Sequence, residues 1–313
     1  MPGDGFVTLA AAADPQIHWL PDPFVLAPVL LLVLVYVRRF RAVRREGRSG
    51  AAREAGPMRE GGAVREGGAV RGAGAVRGAG ARQAIAFAGA IVALLLALAS
   101  PLDGLGEDYL FSAHMLQHVL LGDIAPALLL LSLSRVLLRP ATRRLMSLER
   151  ALGPFASPVT GIVLWLFFMY LWHVPALYEA AITSPIVHLI EHATFFTAGV
   201  AVWWPLIQPV PMRRRLTGLW TVAYIGCAKF GLAALGLYLT WSGTVAYDYY
   251  AQLPRIWGLD PVEDQNAGGA IMMVEQSLTF VIALVVLFAL LLRQSEIDER
   301  RRERLEDAAA ANT

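Results

Sequence analysis

Two pairs of histidines dominate the chemistry that this sequence offers. His114 and His118 are four residues apart, and so are His188 and His192. On an α-helix this spacing puts both imidazoles on one face, one turn apart. Two such faces opposed across a helix bundle would offer four nitrogen ligands, and imidazole suits copper, zinc and iron. Glu191 could orient one of these rings through its second nitrogen.

Other donors of matching chemistry are predicted at the same level. His173 ends an apolar segment, and Met115 and Met272 carry thioether sulfur, which favours Cu(I). Two further interpretations stay open. The histidines could bond to one another and to water at a membrane interface. "HLIEH", residues 188–192, also matches the inverted zinc-protease pattern, so a metallohydrolase is a weaker alternative.

The histidines lie at the ends of long apolar segments. Of the 313 residues, 56% are hydrophobic and 17% charged, whereas about a quarter are charged in an average soluble domain. A membrane helix needs roughly 20 apolar residues. Seven segments approach or meet that length: about 23–38, 84–101, 111–134, 158–175, 186–208, 216–241 and 268–292. We therefore predict an all-α polytopic transmembrane helix bundle with seven spans.

The arginines predict how this bundle is oriented. Of the 27 basic residues, 25 lie in loops 38–83, 135–157 and 209–215 or in the tail after 292. Seven spans put these four segments on one side, and the positive-inside rule makes that side the cytoplasm. The N-terminus is then outside and the C-terminus cytoplasmic. All six histidines, His18 included, fall at or near the outer interface.

The same pattern divides the chain into three parts. We predict an outer N-terminal segment, 1–22, a seven-helix membrane domain, 23–292, and a charged cytoplasmic tail, 293–313, that extends the last span as a helix. Loop 41–82 contains four copies of a six-residue Arg/Gly unit, which cannot bury enough apolar surface to fold, so we expect disorder there. The single cysteine, Cys227, excludes a disulfide within the chain and a site of several thiolates.

Three ionisable residues fall inside predicted spans. Asp123 lies near the middle of span three and Lys229 near the middle of span six, and an unpaired charge there is costly, so we predict an ion pair. Glu275 lies two turns into span seven and is expected to be protonated or paired. The pair could fix helix packing, or it could line a proton path. Asp264 or Asn266 can cap the first turn of span seven.

Three stretches in order resemble a known family: "HMLQHVLLGDIAPALLLLS", "WHVPALYEAAITSPIVHLIEHATFFTAGVAVWWPL" and "DQNAGGAIMM". They are similar to the CtaG-type assembly factors of bacterial cytochrome c oxidase, and the similarity covers about residues 15–292. It implies a multi-pass protein of the bacterial plasma membrane, not an enzyme, that handles copper in forming an active haem–copper oxidase. The expected partners are cytochrome c oxidase subunits and the lipid bilayer, and no nucleic acid.

The resemblance carries the family's motifs onto particular residues: His114, Met115 and His118; Trp172, His173 and Pro175; His188, Glu191 and His192; Asp264, Gln265, Gly269 and Met272. Met273 stands where the family usually has a tryptophan, which removes an aromatic ring and adds a sulfur. Two alternative functions stay open. Opposed histidines could ligate haem in a membrane electron carrier, or Asp123, Lys229 and Glu275 could line the path of a metal transporter.

Overall fold

Helices make up the fold, as predicted. A computed structural model describes residue 19 and residues 23–54, 79–210, 212, 214 and 216–310, and no β-strand occurs among these residues. The α-helices of this described part are α1 Pro23–Glu54, α2 Ala81–Leu98, α3 Pro101–Asp108, α4 Phe111–Val119, α5 Ala125–Ser132, α6 Arg139–Leu152, α7 Pro158–Trp172, α8 Pro175–Thr183, α9 Pro185–Ile207, α10 Leu219–Phe230, α11 Ala233–Trp241, α12 Asp248–Gln252 and α13 Pro261–Ala310. A π-helical turn, Leu120–Ile124, joins α4 to α5, and a 3₁₀ turn, Gly153–Phe155, follows α6.

Six stretches of the described residues are long and apolar enough to cross a membrane: Pro23–Ser49, Ala81–Asp108, Phe111–Ser132, Pro185–Ile207, Leu219–Trp241 and Pro261–Asp307. A seventh is obtained if α7 is joined to the preceding Arg139–Phe155, from which it is bent by 75°. α7 alone has 15 residues, or about 22 Å at 1.5 Å per residue, which is shorter than the apolar core of a bilayer. The chain is a multi-pass helical membrane protein, and the count of seven stays a prediction.

Prolines decide where many of these helices begin. Proline lacks an N–H and fixes φ near the helical value, so the first helical turn tolerates it and the helix interior does not. Six helices start at one: Pro23, Pro101, Pro158, Pro175, Pro185 and Pro261. Pro185 matters most for the site, because it starts α9 three residues before His188.

The neighbours of α4 show which helices run in the same direction. His114 lies beside His188, and further along the chain Gly199 of α9 approaches the carbonyl of Gly122, in the π-helical turn that continues α4. α4 and α9 are therefore parallel and begin at the same end of the bundle. α13 begins there too, because the backbone N–H of Phe111 donates to Asp264. We call this the histidine end.

α7 returns the chain between α5 and α9. Trp172, at the end of α7, donates to Thr194 near the middle of α9. Gly161, near the start of α7, lies against the Ala201 carbonyl near the end of α9. These contacts make α7 antiparallel to α9, so α7 ends at the histidine end.

α1 extends beyond its predicted boundary, and the last span continues into the tail as the helix that the sequence predicts. α1 continues to Glu54, which corrects the predicted start of a disordered loop at 41, because arginine, alanine and glutamate favour helix and the side chain of Arg39 donates to the Val136 and Leu137 carbonyls. α13 runs past 293 to Ala310, so the predicted membrane domain and tail share one helix. The rest of the Arg/Gly loop, 55–78, lies outside the described residues, as do His18, most of segment 1–22 and residues 311–313.

Candidate metal centre

Four side chains from two helices meet at the histidine end. His114 and His118 come from α4, and His188 and Glu191 from α9, and one ligand atom from each lies within 4.8 Å of all the others. All four residues are buried. The i,i+4 and i,i+3 spacings put each pair on one helix face. In the bundle the face of α4 and the face of α9 lie toward each other.

The imidazole rings form one contiguous group. Ring centroids are 4.2 Å apart for His114 and His118, and 5.6 Å apart for His114 and His188. His192 joins them, with its centroid 4.0 Å from that of His188 and 5.6 Å from that of His118. The two predicted histidine pairs therefore face each other in the structure.

Many polar atoms of this group are buried without a hydrogen-bond partner among the described residues. Within the described part of the chain, these buried atoms have no hydrogen-bond partner: both ring nitrogens of His114 and His118, Nε2 of His173, His188 and His192, and both carboxylate oxygens of Glu191. A buried polar group without a partner costs about 1–3 kcal/mol. A cation bound among imidazole nitrogens and a carboxylate would satisfy several of them at once, so the residues present fit a metal such as copper or zinc.

The distances bear on how such an ion would be held. His118 Nε2 and Glu191 Oε1 are 3.8 Å apart. Metal-bound nitrogens lie about 2.0–2.1 Å from the ion, so two ligands of a tetrahedral ion are separated by about 3.3 Å. Small side-chain movements are enough to bring this pair to ligand separation.

Glu191 lies among the candidate ligand atoms. The structure places its fully buried carboxylate within the same group as the imidazole nitrogens, and the role of orienting a ring through its second nitrogen stays a prediction. Its place three residues after His188 on α9 brings it to the same face.

His173 lies at the edge of the group. It follows the last residue of α7, and its Nδ1 is 2.6 Å from the Met169 carbonyl oxygen, which leaves Nε2 as its free nitrogen. Its ring centroid is 6.4 Å from those of Phe195 and Tyr178, two rings that also line the group. The structure brings His173 close to the four-residue centre without including it.

The predicted sulfur ligands lie in the apolar packing between helices. Met115 and Met272 belong to an apolar cluster, which we call the aromatic cap, with Phe111, Tyr178, Leu235, Leu239, Tyr247 and Tyr250. Met273 contacts Gly236, and its sulfur accepts a hydrogen bond from Thr240 at 3.9 Å. In this structure the three methionines pack between helices, and their role as ligands stays a prediction.

The aromatic cap lies next to the imidazoles. The Tyr178 ring centroid is 5.3 Å from that of His114, and the Tyr178 and Tyr250 hydroxyls are 3.1 Å apart. Burial raises the pKa of the Tyr178 phenol well above its ordinary value, so the phenol stays neutral and adds no charge to the site. The cap therefore shields the histidine end with neutral side chains.

Asp264 caps a different helix from the one predicted. Its two carboxylate oxygens accept hydrogen bonds from the backbone N–H groups of Phe111 and Ser112, at 2.6 and 3.1 Å. The sequence suggested that it caps its own helix, but α13 begins earlier, where Asp260 accepts from the Val262 N–H. A carboxylate at the N-terminus of α4 satisfies free N–H groups and favours the helix dipole.

Gln265 and Gly269 hold the neighbouring segments. Gln265 accepts a hydrogen bond from the Ala246 N–H and donates to the Thr244 carbonyl. At Gly269 a Cβ would lie 2.6 Å from the backbone nitrogen of Thr240, so α13 and α11 pack at backbone distance. Both matched motif residues thus position α13 against the loop and helix beside the site.

An acidic corner beside the site was missed by the sequence analysis. Glu107 Oε1 lies 2.7 Å from His188 Nδ1. Asp103 accepts a hydrogen bond from the Gln117 amide, and Gln117 lies on α4 between the two histidines. The run "DGLGED", 103–108, ends six residues before His114, and this closeness in sequence was the available signal.

The predicted intramembrane ion pair is present. Lys229 donates to Asp123, which also accepts a hydrogen bond from the Trp203 indole. Glu275 Oε1 is 3.8 Å from Lys229 Nζ, and Gln276 donates to Glu275. Asp123 lies in the π-helical turn after α4, and π turns inside α-helices are frequent at functional sites.

Fold and site together define a multi-pass helical membrane protein with a buried cluster of histidines and a glutamate between two parallel helices. A model of the family described as "Cytochrome c oxidase caa3 assembly factor (Caa3_CtaG)" matches residues 68–294. The chain belongs to this family.

Curated relatives come from mycobacteria. An uncharacterized protein of Mycobacterium leprae is 25% identical over 253 residues, which cover 73% of this chain and 37% of that protein. Uncharacterized proteins of Mycobacterium bovis and Mycobacterium tuberculosis are each 26% identical over 313 residues, which cover 94% of this chain and 42% of theirs. The chain therefore spans about two fifths of the length of the curated relatives it matches. No solved structure matches it.

Proposed function

We propose that this protein binds copper between α4 and α9 and passes it to a caa3-type cytochrome c oxidase during assembly of that enzyme in the bacterial plasma membrane. The observation that carries the proposal is the buried group of His114, His118, His188 and Glu191, whose ligand atoms lie within 4.8 Å of one another. The family to which the chain belongs supplies the oxidase as the recipient.

Copper is favoured over other metals by two arguments. Imidazole nitrogen is a good ligand for copper and zinc and a poor one for calcium or magnesium. A haem–copper oxidase requires copper in its assembly, whereas zinc is no part of its redox centres. The three imidazoles would hold the ion, the Glu191 carboxylate would balance part of its charge, and release would proceed by exchange of ligands with the oxidase subunit. The protein's own role in this scheme is binding and transfer, with no catalysed reaction.

We further propose seven spans, with the N-terminus outside and the C-terminus in the cytoplasm. α4 and α9 run in the same direction, so the chain between them must cross back, and α7 is antiparallel to α9. Counting α7 as a span keeps the four arginine-rich segments on one side. The histidine end then faces the extracytoplasmic side, from which copper would arrive.

Metal binding is tested by competition in mild detergent. Purified protein and a chromophoric chelator share Cu(I), and separately Cu(II) and Zn(II), and the bound fraction gives the affinity. We expect wild type to take up copper and a His118→Ala, His188→Ala double variant to lose tight binding. Glu296→Gln, on the exposed tail helix, is the control. Failure of wild type to compete for any copper ion at micromolar chelator would overturn the proposal.

The same preparation tests the haem alternative. Protein expressed with ample haem is examined by absorption spectroscopy. We expect no Soret band, because the imidazoles pack against one another and against Phe195, whose ring centroid is 4.6 Å from that of His118. A Soret band that disappears in the double variant would favour a haem protein instead.

A further inference from the structure

We infer that Glu107 is a positioning residue for His188: it holds the imidazole through Nδ1 and so presents Nε2 to the metal centre. The inference rests on the proposed metal-binding function and adds a residue outside both histidine pairs. Its observation is the 2.7 Å contact between Glu107 Oε1 and His188 Nδ1. His188 Nε2 is buried and has no hydrogen-bond partner among the described residues, so it is the nitrogen left for a ligand role.

The backbone of Glu107 is fixed by α12. The Tyr249 hydroxyl donates to the Glu107 carbonyl at 3.1 Å, and the Tyr250 hydroxyl donates to the Gly106 carbonyl at 2.7 Å. Both tyrosines belong to α12, far along the chain. Two hydrogen bonds from a distant element to consecutive carbonyls leave the end of α3 little freedom, so the backbone from which the Glu107 side chain reaches His188 is held in place.

Gly106 brings α3 close enough for this contact. A Cβ at Gly106 would lie 2.9 Å from His114 Cα and 3.0 Å from the His114 nitrogen. The end of α3 therefore packs directly on the backbone of α4, beside a candidate ligand. The position of Glu107 is set by close packing as well as by hydrogen bonds.

The chemistry of the contact suits a metal ligand. A histidine that donates its Nδ1–H to a carboxylate carries its lone pair on Nε2, and the carboxylate fixes the tautomer and the orientation of the ring. The Glu107 side chain is 35% exposed and that of His188 is 11% exposed. The carboxylate thus sits where the solvent meets the buried site, and its charge stabilises the ring without lying inside the centre.

The test begins without metal. Nitrogen NMR of histidine-labelled protein in detergent reports the tautomer of each ring, and a His188→Gln variant assigns the His188 signals. In wild type we expect the Nδ1–H tautomer with a strong hydrogen bond. Glu107→Ala should give a mixture of tautomers, and Glu107→Gln, which keeps an acceptor oxygen, a smaller change. Asp108→Asn, at the exposed neighbour, should match wild type.

Copper competition with the same variants gives the second readout. Mutation of a residue that hydrogen-bonds to a metal ligand lowers the metal affinity about 10–100-fold. We expect a loss of copper affinity of that size in Glu107→Ala, a smaller loss in Glu107→Gln and none in Asp108→Asn. Unchanged His188 signals in metal-free Glu107→Ala would overturn the inference. If wild type binds no copper, the proposed function fails while the NMR comparison still decides whether Glu107 positions the ring.

Discussion

Buried imidazole nitrogens without hydrogen-bond partners are costly, and here they concentrate where two parallel helices begin. The sequence predicted both histidine pairs because their spacing follows the helical period, which is local information. It could not predict that Glu191 lies among the ligand atoms or that Glu107 contacts His188, because both depend on how α3, α4 and α9 pack. Distances between helices are set by the packing of the whole bundle, and the spacing of residues along the sequence does not report them.

Removal of one partner of the Asp123–Lys229 pair should destabilise the protein. Breaking a buried pair leaves an uncompensated charge and costs about 3–5 kcal/mol. Lys229→Met should therefore lower the free energy of unfolding by about that amount, measured by denaturant titration in detergent micelles. The double variant Asp123→Leu, Lys229→Met should recover part of the loss. Equal stability of Lys229→Met and wild type would mean that the pair contributes no stability.

At the scale of elements, close backbone contacts position the site. The existence of the spans and the helical tail were predictable from the sequence, but the end of α1 was not, because a helix that leaves the membrane continues while its residues favour helix. The break after α7 follows from Pro175, and the start of α9 from Pro185. The sequence could not predict that Asp264 caps α4, because the two residues in contact, Asp264 and Phe111, are 153 positions apart.

A bulkier residue at Gly199 should push α9 away from the π-helical turn and α5, which continue the span that α4 begins. A Cβ there would clash with the Gly122 carbonyl oxygen and lie 2.8 Å from Pro126. We expect Gly199→Ala to lower both the thermal stability and the copper affinity, because the two histidine faces move apart. Gly104→Ala is the matched control, since a Cβ at Gly104 meets nothing within 4 Å.

The two readouts can be separated in these glycine variants. Thermal unfolding in detergent reports packing, and chelator competition reports the site. Wild-type copper affinity in a folded but destabilised Gly199→Ala would show that the distance between α4 and α9 does not govern binding.

For the whole molecule, the arrangement of spans decides which compartment meets the site. The positive-inside rule, applied to seven predicted spans, puts the histidines on the extracytoplasmic side. The parallel course of α4 and α9 supports the return crossing by α7 that this proposal needs. α7 has only 15 residues and is bent by 75° from the preceding Arg139–Phe155, so its length alone does not identify it as a span.

Cysteine labelling tests this orientation. Cys227 is the only cysteine, so Cys227→Ser provides a clean background. On it, Asp108→Cys should react with a membrane-impermeant maleimide in intact cells, and Arg144→Cys only after the cells are opened. Both positions belong to described helices, α3 and α6. Labelling of Arg144→Cys in intact cells would reverse the proposed topology.

The proposed function depends on imidazoles from α4 and α9 sharing one copper ion. X-ray absorption at the copper edge, on protein loaded with one equivalent of Cu(I), tests this sharing. We predict nitrogen or oxygen neighbours at about 2.0 Å with the outer scattering of at least two imidazoles, reduced in both His118→Ala and His188→Ala. A spectrum without imidazole scattering, or one unchanged by loss of a histidine from either helix, would contradict the account.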